Sequence, residues 1–235
     1  MGRLVAAASS VVGLLRQRNE DAWRIYQEQE FVRGAGRGFL VAVADGMGGG
    51  RAGSEAAWMA VDQLAHFYYT PGNQFRGETT LQDLFFRSND AVTRLRTTGN
   101  THYGMGTTIV AALFDRSAGA VTVFNIGDSA AFLWRSGRHI RLTTPHVNEA
   151  GELTNHIGMG PGLEIERVRT RLAPGDRLLL TSDGVHSYVD EEVIGTLLGG
   201  ATPKDIATSI TEAADGAGGK DNATALVAEV RPDPA

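Results

Sequence analysis

The chain contains no cysteine among its 235 residues. Disulfide bridges, thiolate nucleophiles and cysteine-ligated zinc are therefore excluded, and any metal must be held by carboxylate, carbonyl or imidazole groups. Aromatic residues are also scarce, at 7% of the chain. No apolar run approaches the roughly 18 residues that a membrane-spanning helix needs. The N-terminal segment resembles a first strand and not an export signal, so we expect a soluble, cytoplasmic protein that does not act at a membrane.

Positive charge is in short supply as well. The chain has 22 Lys and Arg against 27 Asp and Glu, which gives a formal net charge of -5. A mildly acidic chain lacks the broad positive field that attracts nucleic acid, so no nucleic-acid partner is expected. The hydrophobic share of 42% is ordinary for a globular protein, and the length allows a substantial core. We see no internal repeat and no long linker, and interpret residues 1–235 as a single domain.

The order of the predicted elements favours an α+β fold. Strands are predicted at 3–13, 21–27, 39–45, 107–114, 120–126, 130–135, 164–172, 177–181 and 223–230. Helices are predicted at 54–69, 80–97, 191–198 and 203–214, with Thr80 as the N-terminal cap of the second helix. This order is neither regular βαβ alternation nor all-β, and it suits antiparallel sheets covered by helices. Residues 143–163 are polar and glycine-rich, which predicts a mobile loop over a site.

Acidic residues recur beside the apolar strands. In VAVADGMGG, FNIGDSA, LLLTSDG and GGKDNAT they are Asp45, Asp128, Asp183 and Asp221, and the pair Glu20-Asp21 opens the second strand. An isolated Asp-Gly is usually only a turn. The repetition favours a metal site, because acids that are desolvated together are costly unless cations neutralise their like charges. Oxygen ligands without cysteine indicate hard divalent ions such as Mg²⁺ or Mn²⁺.

This pattern suggests a chemistry. Two ions bridged by a carboxylate would lower the pKa of a bound water and supply a nucleophile near neutral pH. Gly46 and Gly184 remove a Cβ where a carbonyl or a substrate has to approach a metal closely. Arg16, four residues before Glu20, has a planar fork that suits phosphate, although its spacing is explained equally well by a surface salt bridge.

Six segments, in order along the chain, resemble the bacterial form of the metal-dependent protein phosphatase family (PPM, the type 2C Ser/Thr phosphatases). They are RQRNED at 16–21, VADGMGG at 43–49, GMGTT at 104–108, NIGDS at 125–129, LLLTSDGV at 178–185 and KDNAT at 220–224. The resemblance implies a four-layer αββα sandwich, in which two antiparallel β-sheets are flanked by helices. It also implies a monomer whose substrates are phosphoserine and phosphothreonine proteins, modified by a cognate Ser/Thr kinase.

The resemblance assigns roles to the acids. Asp45 would bridge two core ions, Mn²⁺ or Mg²⁺, and the Gly46 carbonyl would bind the second ion. Asp183 and Asp221 would complete the shell of the first ion, so that Asp45, Asp183 and Asp221 form the catalytic set. Glu20 would bind the second ion directly or through water. Water held by both ions would attack phosphorus in line.

Further residues take supporting roles in the same resemblance. Arg16 would hold the substrate phosphate, and Asp21 would orient metal-bound waters from a second shell. Asp128 would join Asp183 at a third, weaker metal site that bacterial members have. The sequence departs from the family at Met47, where eukaryotic members often have a His proposed as general acid, because Met cannot transfer a proton. The loop at 143–163 is also shorter than the usual bacterial flap.

Two other functions fit the same residues. One is a pseudophosphatase that binds a phosphoprotein without hydrolysing it, and the other is a phosphatase that acts on small molecules. The three acids Asp45, Asp183 and Asp221 are all present, which argues against loss of catalysis. Metal-stimulated turnover, and relative rates on phosphopeptides and metabolites, would separate the three hypotheses.

Overall fold

The computed structural model describes residues 3–26, 39–49, 51–69, 78–98, 104–115 and 118–232. Its strands are β1 (Arg3–Val11), β2 (Asp21–Tyr26), β3 (Phe39–Met47), β4 (Gly106–Thr107), β5 (Ile109–Asp115), β6 (Ala120–Ile126), β7 (Ala130–Arg135), β8 (Arg138–Arg141), β9 (Glu166–Arg171), β10 (Arg177–Thr181) and β11 (Ala223–Arg231). Its helices are α1 (Arg51–Tyr69), α2 (Glu78–Thr98), α3 (Asp183–His186), α4 (Glu191–Leu197) and α5 (Pro203–Gly216).

The strands form two antiparallel sheets. One has the order β1-β11-β10-β7-β8, and the other has the order β2-β3-β5-β6-β9, with β4 paired to β3. Helices α1 and α2 cover the second sheet, and α5 packs against β1 and β11 of the first. The expected four-layer αββα sandwich is therefore confirmed.

Side-chain alternation along the strands builds three apolar layers. In β3, Val41 and Val43 face the opposite sheet and join the inter-sheet core, which also contains Leu180 and Leu226. The intervening residue Ala42 joins a second core beneath α1 and α2. A third core lies between the first sheet and helices α3, α4 and α5. Because successive strand residues point to opposite faces, a strand between two layers must be apolar on both sides, as β3 is.

Helix α5 shows how local sequence fixes an element. Thr202 precedes it in an extended conformation, and its Oγ1 accepts a hydrogen bond of 3.2 Å from the backbone N–H of Asp205. Pro203 occupies the first turn, where its missing N–H costs nothing. Ile206 and Ile210 then recur at helical spacing and are fully buried against the sheet.

One local prediction is wrong, and one strand was missed. Thr80 lies inside the first turn of α2, which already includes Glu78, so its prediction as the N-terminal cap is wrong. Strand β8 was not predicted. Ser136 and Gly137 both have positive φ, at 51° and 80°, which is the conformation of a tight hairpin turn that returns the chain as a paired strand. Residue Gln27, predicted at the end of the second strand, lies outside the described residues.

None of the helices in the described ranges combines the length and the apolarity needed to cross a membrane.

Candidate metal centre

The predicted acids gather at one end of the sandwich. Asp45 lies near the carboxyl end of β3, Asp128 follows β6, and Asp183 follows β10. Asp21 begins β2, and Asp221 lies two residues before the start of β11. Strand β2 is antiparallel to β3, which carries Asp45, and β11 is antiparallel to β10, which leads to Asp183. The amino ends of β2 and β11 therefore lie beside the carboxyl ends of β3 and β10. Antiparallel pairing thus brings together residues that are far apart in sequence.

The backbone of Asp45 is held by two threonines. Thr108 donates its N–H to the Asp45 carbonyl at 2.9 Å, and the Thr107 hydroxyl donates to the same oxygen at 2.8 Å. The Asp45 N–H donates to Thr108 Oγ1 at 3.1 Å, and that hydroxyl also bonds Ser129 Oγ at 2.7 Å. The GMGTT segment therefore positions Asp45. The break it makes between β4 and β5 explains why the fifth strand begins at Ile109, later than predicted.

Asp21 joins the two sheets at this end. It is 3% exposed, and its Oδ2 accepts hydrogen bonds from Ser182 Oγ at 2.7 Å and Thr224 Oγ1 at 2.6 Å, both on the opposite sheet. Its Oδ1 has no hydrogen-bond partner among the described residues. Burial raises the pKa of Asp21 to about 7, although the bonds from Thr224 and Ser182 oppose the rise.

The pKa values of Asp45 and Asp183 are both raised in the folded protein. Burial raises the pKa of Asp45 well above its ordinary value, and the charges of Asp21 and Asp183 raise it further. Burial raises the pKa of Asp183 to about 6, while its hydrogen bond with Asp45 lowers that pKa. Burial also raises the pKa of Asp128. Carboxylates this close carry a repulsion that a divalent cation would offset.

Arg16 and Asp221 form an ion pair at the rim, with Arg16 Nη2 at 2.6 Å from Asp221 Oδ2. The salt bridge that the sequence left open as an explanation for Arg16 therefore exists, and its partner is one of the predicted metal ligands. The Arg16 side chain remains 49% exposed. A guanidinium has five N–H donors, so groups beyond the one on Asp221 face solvent and can reach an anion.

Asn222 was missed as a site residue, although it stands in the KDNAT segment. Its Oδ1 accepts from the Glu20 N–H at 2.8 Å. Its Nδ2 donates to the carbonyls of Val12 at 2.7 Å and Arg18 at 2.8 Å. Asn222 is buried and so fixes both ends of the loop that carries Arg16. Its signal in the sequence was a polar residue directly before an apolar strand.

Glycines let the backbone close around the acids. A Cβ at Gly46 would collide with the carbonyls of Gly53 and Glu20, and one at Gly184 would collide with the carbonyl of Asn222. The sequence predicted that a carbonyl or a substrate approaches a metal at both glycines. The carbonyls observed there belong to the protein's own packing. The Glu20 side chain lies over the first turn of α1, where a Cβ at Gly53 would strike its Oε2.

The segment 143–163 was predicted to be a mobile loop, but the structure anchors it. Ile157 is fully buried and pairs with Thr107 through two backbone hydrogen bonds of 3.0 and 2.8 Å. Asn89 of α2 accepts from Gly158 N–H at 2.9 Å and donates to the Gly160 carbonyl at 2.8 Å. Local unfolding of a segment with several buried hydrogen bonds costs considerable free energy. Polarity and glycine content were therefore misleading as signs of a mobile loop.

The donor chemistry of this centre fits hard divalent cations: carboxylate oxygens converge, they are partly desolvated, and one buried oxygen of Asp21 has no partner among the described residues. Within the described ranges, however, no three Asp, Glu or His side chains already surround one point closely enough to hold an ion. Asp221 is turned onto Arg16, so binding requires side-chain rotation at the rim.

Comparisons with known proteins agree with this geometry. The model of the family described as Stage II sporulation protein E (SpoIIE) matches residues 35–231. The chain is 30% identical to the serine/threonine phosphatase stp of Listeria innocua over 240 residues, which cover 92% of each chain. It is 31% identical to the serine/threonine protein phosphatase PstP of Mycobacterium tuberculosis, over 95% of this chain and 44% of that one.

A solved structure shows the same fold. The catalytic domain of PstP, in complex with 2 manganese ions, matches this fold with a TM-score of 0.82 at 30% identity, covering 97% of this chain and 98% of that one. The chain belongs to the PPM family of type 2C serine/threonine phosphatases, as its six sequence segments predicted.

Proposed function

We propose that this protein is a metal-dependent protein serine/threonine phosphatase, which hydrolyses phosphoserine and phosphothreonine by direct attack of water activated by two divalent ions. The observation that carries the proposal is the gathering of Asp21, Asp45, Asp128, Asp183 and Asp221 at one end of the sandwich, with Arg16 at its rim. The manganese ions of the related PstP catalytic domain support a two-ion centre.

The acids hold the ions in this proposal. Asp45 would bridge two core ions of Mn²⁺ or Mg²⁺, and Asp183 and Asp221 would complete the ligands of the first ion. The Gly46 carbonyl and Glu20 would bind the second ion, Glu20 directly or through water. When bound, the ions lower the pKa of a water molecule and offset the charge of the phosphoryl group. The raised pKa values of Asp45 and Asp183 support this role, since both indicate carboxylates that need a cation to stay ionised.

The remaining residues position the reactants. Asp21, bonded to Ser182 and Thr224, holds the two sheets together and would orient the water molecules bound to the ions. Asp128 would join Asp183 at a third, weaker metal site, and its charge helps to raise the pKa of Asp183. Arg16 holds the phosphate through its exposed N–H groups. Met47, half-buried at the end of β3, cannot protonate the leaving alkoxide, so that proton comes from another group.

The substrates follow from the class of enzyme. Phosphorylated proteins are the proposed partners, with a cognate Ser/Thr kinase acting in the opposite direction, in the cytoplasm and without membrane or nucleic-acid partners. We also propose that residues 1–235 act as one catalytic domain, because both sheets contribute to a single inter-sheet core. That this domain is a monomer is what the family resemblance implies.

The deciding experiment measures hydrolysis of a phosphothreonine peptide with Mn²⁺, with EDTA, and by the Asp183→Asn variant. We expect activity in the wild type with Mn²⁺ alone. Asp190→Asn is the matched control, because Asp190 is exposed and makes no side-chain cap hydrogen bond at α4. Calorimetric Mn²⁺ titration separates loss of metal from loss of chemistry. Metal binding without turnover would favour the pseudophosphatase, and faster turnover of metabolites than of peptides would favour a small-molecule phosphatase.

A further inference from the structure

A cleft lies beside the carboxylate cluster, on the side of helix α1. Its volume is about 550 Å³, and it is bounded by Arg18, Arg51, Ser54, Glu55, Trp58, Met59, Asp62 and Gln63. None of these residues has a role in the chemistry proposed above. The cleft is therefore a second feature of the surface, next to the site but distinct from it.

The lining residues run along one face of α1. Arg51 is at its first turn, Trp58 is two turns further, and Asp62 is one turn beyond that. At a rise of about 1.5 Å per residue, Arg51 and Asp62 are separated by roughly 16 Å along the axis. An extended polypeptide covers that distance with about five residues. The cleft thus has the length of a short peptide segment.

The end of the cleft nearest the acids carries two arginines. The Arg18 carbonyl is held by Asn222, the same side chain that binds the Glu20 N–H, so this part of the wall is continuous with the site. Arg51 follows the glycine-rich turn after Asp45 and begins α1. Both side chains are exposed. They place positive charge directly beside a cluster of carboxylates, in a chain whose formal net charge is -5.

The middle of the cleft offers an aromatic surface. Trp58 is 36% exposed, and the guanidinium of Arg24 stacks over its ring at 4.3 Å from the centroid. Arg24 is fixed in turn by an ion pair of 2.9 Å with Asp62. The guanidinium thus packs against the indole, and Met59 lies beside the ring on the cleft wall. A half-exposed aromatic ring is the kind of group that anchors a bound peptide.

We propose that this cleft binds the polypeptide that flanks the phosphorylated residue of the substrate. An acidic side chain close to the phosphoresidue meets Arg18 and Arg51, and an apolar side chain further along packs on Trp58 and Met59. The arginines offset the repulsion between an acidic substrate and the site's own carboxylates. This inference rests on the proposed phosphatase function and adds a substrate preference to it.

The test compares phosphothreonine peptides flanked by glutamates with otherwise identical peptides flanked by lysines. We expect the wild type to favour the glutamate peptide about tenfold in kcat/KM, and the Arg18→Glu/Arg51→Glu variant to reverse that preference. Arg138→Glu is the matched control, because this exposed arginine lies on β8, outside the cleft. In a second variant, Trp58→Ala, we expect about a fivefold fall in kcat/KM for peptides carrying a leucine beyond the acidic residues.

Two further measurements separate the two proposals. A small phosphate ester does not extend into the cleft, so its hydrolysis reports on the catalytic centre alone. Peptide binding to the Asp183→Asn variant, measured by calorimetry, should show the same preference for the glutamate peptide. Adding Arg18→Glu and Arg51→Glu to that variant should reverse the binding preference. The cleft proposal alone would be overturned if wild type and Arg18→Glu/Arg51→Glu both hydrolysed the ester and both used the two peptides equally well. Failure to hydrolyse any ester would overturn the phosphatase proposal, while the binding preference would still decide the role of the cleft.

Discussion

The inter-sheet core and its carboxylate end are built on the same strands but carry opposite chemistry. Val43, Leu180 and Leu226 fill the core between the sheets. Two residues further toward the edge, at the same alternating positions, stand Asp45, Ser182 and Thr224. One region gains stability from apolar burial. The other gathers charge and hydroxyl groups, which are costly to desolvate, at the end of the same layer.

This comparison shows how strand register alone places two of the acids. The register continues unchanged from the core to Asp21 and Asp45, which pair in β2 and β3. What changes is the residue type at the inward positions. We therefore expect substitutions in the two regions to have opposite consequences, with stability affected in one and activity in the other.

The largest effect is expected at Asp45. Replacing its carboxylate by an amide in Asp45→Asn removes the proposed bridging ligand, and we expect peptide hydrolysis to fall about 1000-fold or more, equivalent to roughly 4 kcal/mol. The EDTA-treated variant should unfold at no lower a denaturant concentration than the EDTA-treated wild type, since a repelling charge is gone. A variant that keeps a tenth of wild-type activity would contradict the assigned role.

The apolar region should respond in the opposite sense. Phe114 is fully buried and packs edge-on against Phe39, with ring centroids 5.6 Å apart. Phe114→Ala leaves a cavity, and we expect the free energy of unfolding, measured with urea, to fall by about 3 kcal/mol. Activity per folded molecule, measured well below the melting temperature, should stay within about twofold. Equal losses of stability and specific activity would show that the two regions are coupled.

A pH titration should expose the electrostatic cost of the carboxylate end. The folded-state pKa is raised to about 7 for Asp21 and about 6 for Asp183, so the folded protein binds more protons than the unfolded chain above pH ~4. Stability in EDTA should therefore fall by several kcal/mol, on the order of 1.4 kcal/mol for each unit of raised pKa, between pH 4 and 8 as these groups ionise in the folded protein. Urea unfolding of wild type and Asp21→Asn at both pH values checks this, because the variant should lose less. Identical pH dependence in both proteins would remove Asp21 as a source of the effect.

The smallest effect is expected behind Asp45. Ser129 is fully buried and bonds the Thr108 hydroxyl, which in turn accepts from the Asp45 N–H. Ser129→Ala leaves that hydroxyl short of a partner, and we expect a loss of about 1 kcal/mol in stability. Hydrolysis should fall only a few-fold, because the carboxylate itself remains. Ser129→Thr, which keeps the hydroxyl, is the control, and equal behaviour of the two variants would show that the bond does not matter.

Much of the fold could be predicted because its elements are strongly patterned. The strands at 120–126 and 130–135 were predicted to their observed ends, since both are apolar runs bounded by glycine or a charged turn. The sequence did not predict strand β8, because its residues RHIR include three basic or polar residues and one apolar residue. That composition is typical of an edge strand and of a loop alike. The prediction of a mobile loop at 143–163 was wrong because the segment is held by Asn89 and Thr107, which are distant from it in sequence.

The sequence by itself determined the family, the layered α+β fold and the identity of the acids, because six short segments and the strand alternation are local properties of the chain. Tertiary structure alone decided what those acids meet. It placed Ser182 and Thr224 on Asp21, turned Asp221 onto Arg16, and made Asn222 the support of the loop before Glu20. These contacts join residues more than 150 positions apart, and only the antiparallel register of two packed sheets sets their distances.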